Sequence, residues 1–242
     1  MEKPTYKELM EAGVHFGHLK KKWNPKMAPY IFTERNGIHL IDLNRTLEQL
    51  DRTANAMRQI AKAGKKILFV ATKKQAREVV AEVAAEVNMP YITERWQGGM
   101  LTNFNTIRRS IRKMQGIERM LNDGTLDSVT KKERLTLTRE HEKMSKVLGG
   151  IANMNRTPAA MFVVDIVHEH LAVAEANKLG IRTFGVVDTN GDPNMVDYVV
   201  PANDDAGKSV EIIVRYLADA VKQGLAERES AKTEKESSTA SA

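Results

Sequence analysis

The sequence contains no cysteine. Disulfides, thiolate zinc sites, iron–sulfur clusters and cysteine nucleophiles are therefore excluded, and the composition fits a reducing compartment. No run of about 18 apolar residues is present, the length that a membrane-spanning helix requires. The opening residues, Met1 to Glu8, contain no apolar stretch of the kind that marks a secretory signal. The expected location is the cytoplasm, and no membrane partner is expected. Catalytic signatures are scarce too. There is no Gly-x-Ser-x-Gly elbow and no dinucleotide-binding glycine fingerprint after a strand.

What is present is a chain of 242 residues, 42% hydrophobic and 28% charged, the balance of a folded globular protein of one or two domains. The net charge of +6 is unevenly spread. Residues 1–100 carry 17 basic and 11 acidic side chains, residues 101–150 carry 11 and 6, and residues 151–242 carry 9 and 14. A basic front and an acidic back point to a polyanionic partner for the front. The same lysines and arginines are also compatible with a plain solvated surface.

Strand and helix patterns alternate. Thr5-Tyr6-Lys7-Glu8 is a capping box opening a short helix through about Ala12. Residues 13–30 have two Gly, two Pro and no period, which predicts a long loop. Ile38–Ile41 reads as a strand, and Arg45–Ala63 as a helix striped by Leu47, Leu50, Ala54, Met57 and Ala61. Buried strands are predicted at Ile67–Ala71, Ala160–Asp165 and Thr183–Asp188, with shorter ones at Tyr91–Thr93 and Tyr198–Val200. Thr72-Lys73-Lys74-Gln75 predicts a second capping box, opening a helix to Val87. Further helices are expected at His168–Leu179 and Ala206–Ala226. The expected architecture is α/β: a three-layer, open, mostly parallel sheet of flavodoxin or Rossmann type.

Residues 101–150 break the rhythm. Phe104, Ile107, Ile111, Met114 and Leu121, then Leu137, Met144 and Leu148, recur near 3.5 spacing, with Glu118 and His141 at the intervening steps. Asn122-Asp123-Gly124-Thr125 reads as a turn, and Thr130-Lys131-Lys132-Glu133 as a third capping box. An inserted α-helical coiled-coil hairpin is expected at 103–150. The globular part then comprises 1–102 and 151–226, followed by a disordered tail at 227–242 that lacks apolar anchors.

Most candidate chemistry is weak. Gly207-Lys208-Ser209 follows a strand and opens a helix, but a phosphate-binding loop needs Gly at 202, where Ala stands. Asp204 and Asp205 would repel phosphates there. Asp165 and Asp188 fall at strand C-termini, where ligands bind in open sheets, yet Asp is also an ordinary turn and cap residue. The pairs His15/His18 and His168/His170 lack zinc-ligand spacing. No cofactor, resident metal or small-molecule substrate is expected.

Binding chemistry remains. Lys20, Lys21, Lys22, Trp23, Asn24 and Lys26 place four ammonium groups and an indole in one aperiodic segment. Lysines displace counterions from phosphates, and an indole either stacks on a base or anchors its loop. Arg95 and Trp96 repeat the theme beside Gly98 and Gly99. Arg108, Arg109, Arg112 and Lys113 crowd one arm of the expected hairpin, with Lys131 and Lys132 on the other.

These residues also carry a resemblance. Ala12–His18, Trp23-Asn24-Pro25-Lys26-Met27, Tyr30-Ile31-Phe32, Arg35–Leu43, Arg95–Asn103 and Asn203–Ala206 closely resemble the bacterial branch of the family of the second small-subunit ribosomal protein, the uS-two family. The resemblance runs over about residues 4–226. It implies an α/β domain with a helical projection, contact with 16S rRNA between head and body, and no catalysis. It also implies docking of the large mRNA-binding OB-repeat protein and contact with other small-subunit proteins. Two rivals stand beside it: a nucleotide-binding domain or enzyme using Asp165, Asp188 or Lys208, and a protein-docking scaffold with incidental basic charge.

Overall fold

The first helix begins where its capping box lies. Thr5 Oγ1 accepts from the Glu8 N–H and the Glu8 carboxylate accepts from the Thr5 N–H, starting α1 (Tyr6–Glu11). In the computed structural model, which describes residues 3–123 and 130–240 with side chains to Thr233, a small antiparallel sheet follows. Its strands are β1 (Phe16–Leu19), β2 (Ile31–Arg35) and β3 (Ile38–Ile41), in the order β1-β3-β2. The segment expected as one long loop thus contains a strand and two 3-10 turns, Lys20–Lys22 and Pro25–Tyr30. Strand β1 is half exposed, so it carries no buried alternation to read. The β2–β3 turn is Asn36-Gly37, at φ 53° and 76°. Asn and Gly tolerate those angles, which match the twist of a hairpin.

The main body follows in the order α2 (Leu43–Lys62), β4 (Ile67–Val70), α3 (Arg77–Glu86), β5 (Tyr91–Ile92), α4 (Phe104–Asn122), α5 (Lys131–Leu148), β6 (Ala160–Val164), α6 (His170–Lys178), β7 (Arg182–Val187), β8 (Tyr198–Pro201) and α7 (Gly207–Ala240). Strands β4 to β8 form one parallel sheet in the order β5-β4-β6-β7-β8. Alternate side chains feed two cores. Phe69, Phe162, Phe184 and Val186 join the α1, α2, α3 and α7 side. Leu68, Val70, Met161 and Val163 join the α4 and α6 side. All of these strand residues are fully buried, which is why the strands lack polar alternation. The result is the expected three-layer α/β fold.

Three local expectations need correction. The Thr72–Gln75 capping box does not form, and α3 begins at Arg77. The Thr72 hydroxyl donates instead to Glu169 Oε1 at 2.5 Å, a tertiary partner that outcompetes a local cap. Second, the buried stripe of α4 is Phe104, Ile107, Ile111, Met114 and Ile117, with Glu118 exposed. Its first four members lie in the second core, so α4 seals the sheet. On α5, only Leu148 is buried. Helices α4 and α5 are linked by a Lys113–Glu140 ion pair. Part of the expected turn, Gly124 and Thr125, lies outside the described residues. Third, α7 continues through residues 227–240, which were expected to be disordered. Alanine, glutamate and lysine favour helix, so an existing helix extends through them without an apolar anchor. Residues 241–242 lie outside the description.

Helices α2 and α7 approach closely at Gly224, where a Cβ would meet the Arg58 carbonyl oxygen at 2.3 Å. Gly224→Ala is expected to lower unfolding free energy by about 2 kcal/mol, because backbone cannot yield as a side chain does. Gly116 in α4 has open space around it. There Gly→Ala is expected to add about 0.5–1 kcal/mol. Urea denaturation of the two variants checks both signs.

Candidate nucleic-acid interface

In a parallel sheet of order 2-1-3-4-5, ligands bind beyond the strand C-termini, where neighbouring connections leave on opposite faces. Here that point lies between β4 and β6, since α3 belongs to one core and α6 to the other. The chain fills the crevice with its own side chains. Lys73 Nζ reaches Asp165 at 3.0 Å, Asp204 at 2.7 Å and Asp205 at 2.6 Å. The Thr72 N–H and hydroxyl both donate to Glu169 Oε1. Asp165, at φ 65°, also accepts from the Val167 and His168 N–H groups.

The cluster extends toward the small sheet. His18 Nδ1 lies 3.1 Å from Asp188 Oδ2, and its Nε2 lies 3.4 Å from Asp205 Oδ2. The His18 N–H donates to Thr189 Oγ1, and the Asn24 N–H to the Thr189 carbonyl. Asn203 ties the other end, donating from its side chain to the Gly13 carbonyl and from its backbone to that of Val14. The hydrogen bond to Asp188 raises the His18 pKa against the opposing effect of burial. Burial, together with the Asp165 and Asp188 charges, pushes Asp204 up to about 7. Burial disfavours the Lys73 charge, but the bonds to Asp204, Asp205 and Asp165 more than reverse it and raise its pKa. Lys73 holds Asp205 below the usual carboxylate range. His18, Asp188 and Asp204 each bring one potential ligand atom within 4.8 Å of the others, so a divalent cation has three donors available. Asp165 and Asp188 were singled out as turn residues or carboxylate candidates; Lys73 and His18 join them here, and distant sequence positions hid that assembly.

A phosphate would meet four carboxylates at this edge, so it offers no nucleotide site. Lys208 lies in the first turn of α7, and Ser209 is buried with its hydroxyl bonded to the Asn203 carbonyl. This arrangement defines an α/β protein of nucleotide-binding topology whose ligand crevice is closed by its own ion pairs.

The predicted RNA-binding residues fall into three states. Lys20, Lys26 and Lys113 are paired with Glu34, Asp192 and Glu140. Lys21, Lys22, Arg95, Arg109, Arg112, Lys131 and Lys132 are exposed, and Arg108 is half-buried; none of these eight side chains has an ion-pair partner among the described residues. Asn24 caps the turn that follows it by accepting from the Lys26 N–H. The tryptophans serve as anchors. Trp23 is half-buried, its ring centroid 5.0 Å from that of His39. Trp96 is 7% exposed and donates from Nε1 to Glu175 Oε1 at 3.1 Å. Glu175, which sequence reading passed over, also accepts from the Gly99, Leu101 and Thr102 N–H groups and the Thr102 hydroxyl. Burial works against its charge, but these donors lower its pKa. One carboxylate thus holds the whole loop that leads into α4.

Comparison with known proteins fits this closed crevice. The family model described as Ribosomal protein S2 matches residues 9–224. The small ribosomal subunit protein uS2 of Parabacteroides distasonis is 58% identical over 236 residues, covering 98% of this chain and 85% of that protein. That of Phocaeicola vulgatus is 57% identical over 236 residues, with the same coverage. That of Cytophaga hutchinsonii is 59% identical over 227 residues, covering 94% and 89%. The chain belongs to the Ribosomal protein S2 family. It is a small-subunit ribosomal protein acting in translation, and not an enzyme.

The cluster carries a pH signature. His18 and Asp204 both bind protons more tightly folded than unfolded, so the stability they contribute is present at low pH and lost as pH rises. For Asp204 the loss runs from its ordinary 3.8 to about 7; for His18 it runs from 6.5 upward through its raised value. Across pH 5–8, the wild-type melting temperature is expected to fall more steeply than that of a His18→Gln/Asp204→Asn variant. Parallel profiles from calorimetry would remove this linkage.

Proposed function

We propose that the chain binds 16S rRNA between the head and body of the cytoplasmic small subunit, through its unpaired cations. The observation that carries this reading is the sorting of charge. Acidic side chains gather at the sheet's C-terminal edge, where Lys73 and His18 answer them. Lys21 and Lys22 of the 20–22 turn and Arg108, Arg109 and Arg112 of α4 carry charge without such partners among the described residues. Unpaired Lys and Arg on fixed elements suit backbone neutralisation, with affinity set by counterion release. Lys131 and Lys132 open α5 and extend the same charge, as a helical projection from the α/β body would present it.

The partners include other small-subunit proteins, among them the large mRNA-binding OB-repeat protein. In support, the small sheet and its rim leave Phe16, Leu19 and Phe32 exposed at 49%, 52% and 75%. Exposed apolar side chains of this size favour a protein partner.

Binding of the full chain to 16S rRNA across a salt series tests the RNA reading. Lys21→Ala/Lys22→Ala is expected to make the log–log salt slope shallower by about 1.5, since two phosphate contacts are lost. Arg109→Ala/Arg112→Ala should act similarly. Unchanged slopes for both variants would refute the assignment.

A further inference from the structure

The opposite edge of the parallel sheet has the reverse character. Lys65 and Lys66 lead into β4, and residues 153–159 lead into β6. These strands are parallel neighbours with Ile67 opposite Ala160, so their two entry segments lie side by side. Two adjoining clefts of about 290 and 420 Å³ open there, sharing Lys66, Asn153 and Met154 in their walls. Lys65, Lys66 and Arg156 supply charge, Asn153 and Asn155 supply amides, and neither wall contains an acidic residue. All five side chains belong to exposed residues.

The charge here is unanswered. Neither the Lys65 nor the Arg156 side chain has a hydrogen-bond or ion-pair partner among the described residues. Lys66 Nζ donates only to the neutral Asn88 carbonyl, at 2.6 Å. Cations gathered around a cleft repel one another unless an anion lies between them. The cleft also continues a surface already described. Gln115 of α4 donates from Nε2 to the Ala152 carbonyl, which sets 153–156 beside that helix. Positions 112, 115 and 119 share one helical face by their spacing, so Arg112 and Arg119 flank the residue that makes this contact.

We propose that this edge is a second docking surface for a sugar-phosphate strand of folded RNA, continuous with the arginine face of α4. It rests on the RNA reading above and adds Lys65, Lys66 and Arg156 to the contacts. A strand bears anions at regular intervals and fills two clefts in line. The amides of Asn153 and Asn155 suit phosphate and sugar oxygens. An acidic protein segment fits less well, because the larger cleft is walled by Lys65, Lys66, Arg156, amide and hydroxyl side chains, and its one large apolar residue, Met154, is buried.

The test is salt-series binding of full-length wild type, Lys65→Ala/Arg156→Ala, and Lys21→Ala/Lys22→Ala to 16S rRNA, with melting temperatures as a folding control. The cleft variant is expected to bind roughly tenfold more weakly, with a slope shallower by about 1.5 and an unchanged melting temperature. If it binds as wild type does while the Lys21/Lys22 variant is impaired, the cleft is no RNA contact and the proposed function stands. If wild type itself shows no salt-dependent rRNA binding, the proposed function falls, and the cleft proposal with it. A cleft variant that binds RNA normally but loses a subunit protein in RNase-treated pull-downs would assign the edge to a protein and overturn the proposal.

Discussion

Lys73 Nζ lies within 3.0 Å of Asp165, Asp204 and Asp205, and those contacts join the ends of β4, β6 and β8. Removing the ammonium would leave Asp165 and Asp204, both largely buried, facing one another without a countercharge. An uncompensated buried charge of that kind costs several kcal/mol. The rest of the edge is built outward from this contact. Asp205 also faces His18, His18 faces Asp188, and the backbone beside His18 is held by Thr189. The small sheet is therefore positioned by the same charges that close the crevice.

The sheet order would place a nucleotide where Thr72, Lys73 and Asp165 now stand. Topology alone predicts a ligand; the side chains at the switch point decide otherwise. A lysine near a crevice often marks phosphate binding, but this one is committed to three carboxylates. The free cations lie elsewhere, on the turn at 20–22, on α4 and at the other edge of the sheet. The buried charges answer one another at one edge, whereas Lys21, Lys22, Arg109, Arg112, Lys65 and Arg156 are exposed without an ion-pair partner among the described residues.

The parallel sheet was legible in the sequence because strands buried on both faces leave uninterrupted apolar runs, as at Ile67–Val70 and Ala160–Val164. The helices were legible from their stripes and stops. Strand β1 was not, being half exposed and followed by three lysines, although Asn36-Gly37 marks the neighbouring hairpin. The Thr72 capping box failed because its partner, Glu169, lies 97 residues away. Distance in sequence also hid the charge cluster and the Glu175 anchor, since each joins groups that no local pattern connects. The arginines of α4 were legible from helical spacing, but which lysines stay free depended on Glu34, Asp192 and Glu140.

The bonds from Asn24 and His18 to Thr189, and from Asn203 to Gly13 and Val14, span most of the chain. A polypeptide made from its N-terminus exposes the lysine-rich turn early, but Thr189, which ties down the backbone on both sides of it, comes 171 positions after His18. Closing contacts across such separations is slow. The lysine-rich turn therefore acquires its final tertiary anchor near the end of synthesis, and until then its cations ride on a segment fixed only by its own small sheet.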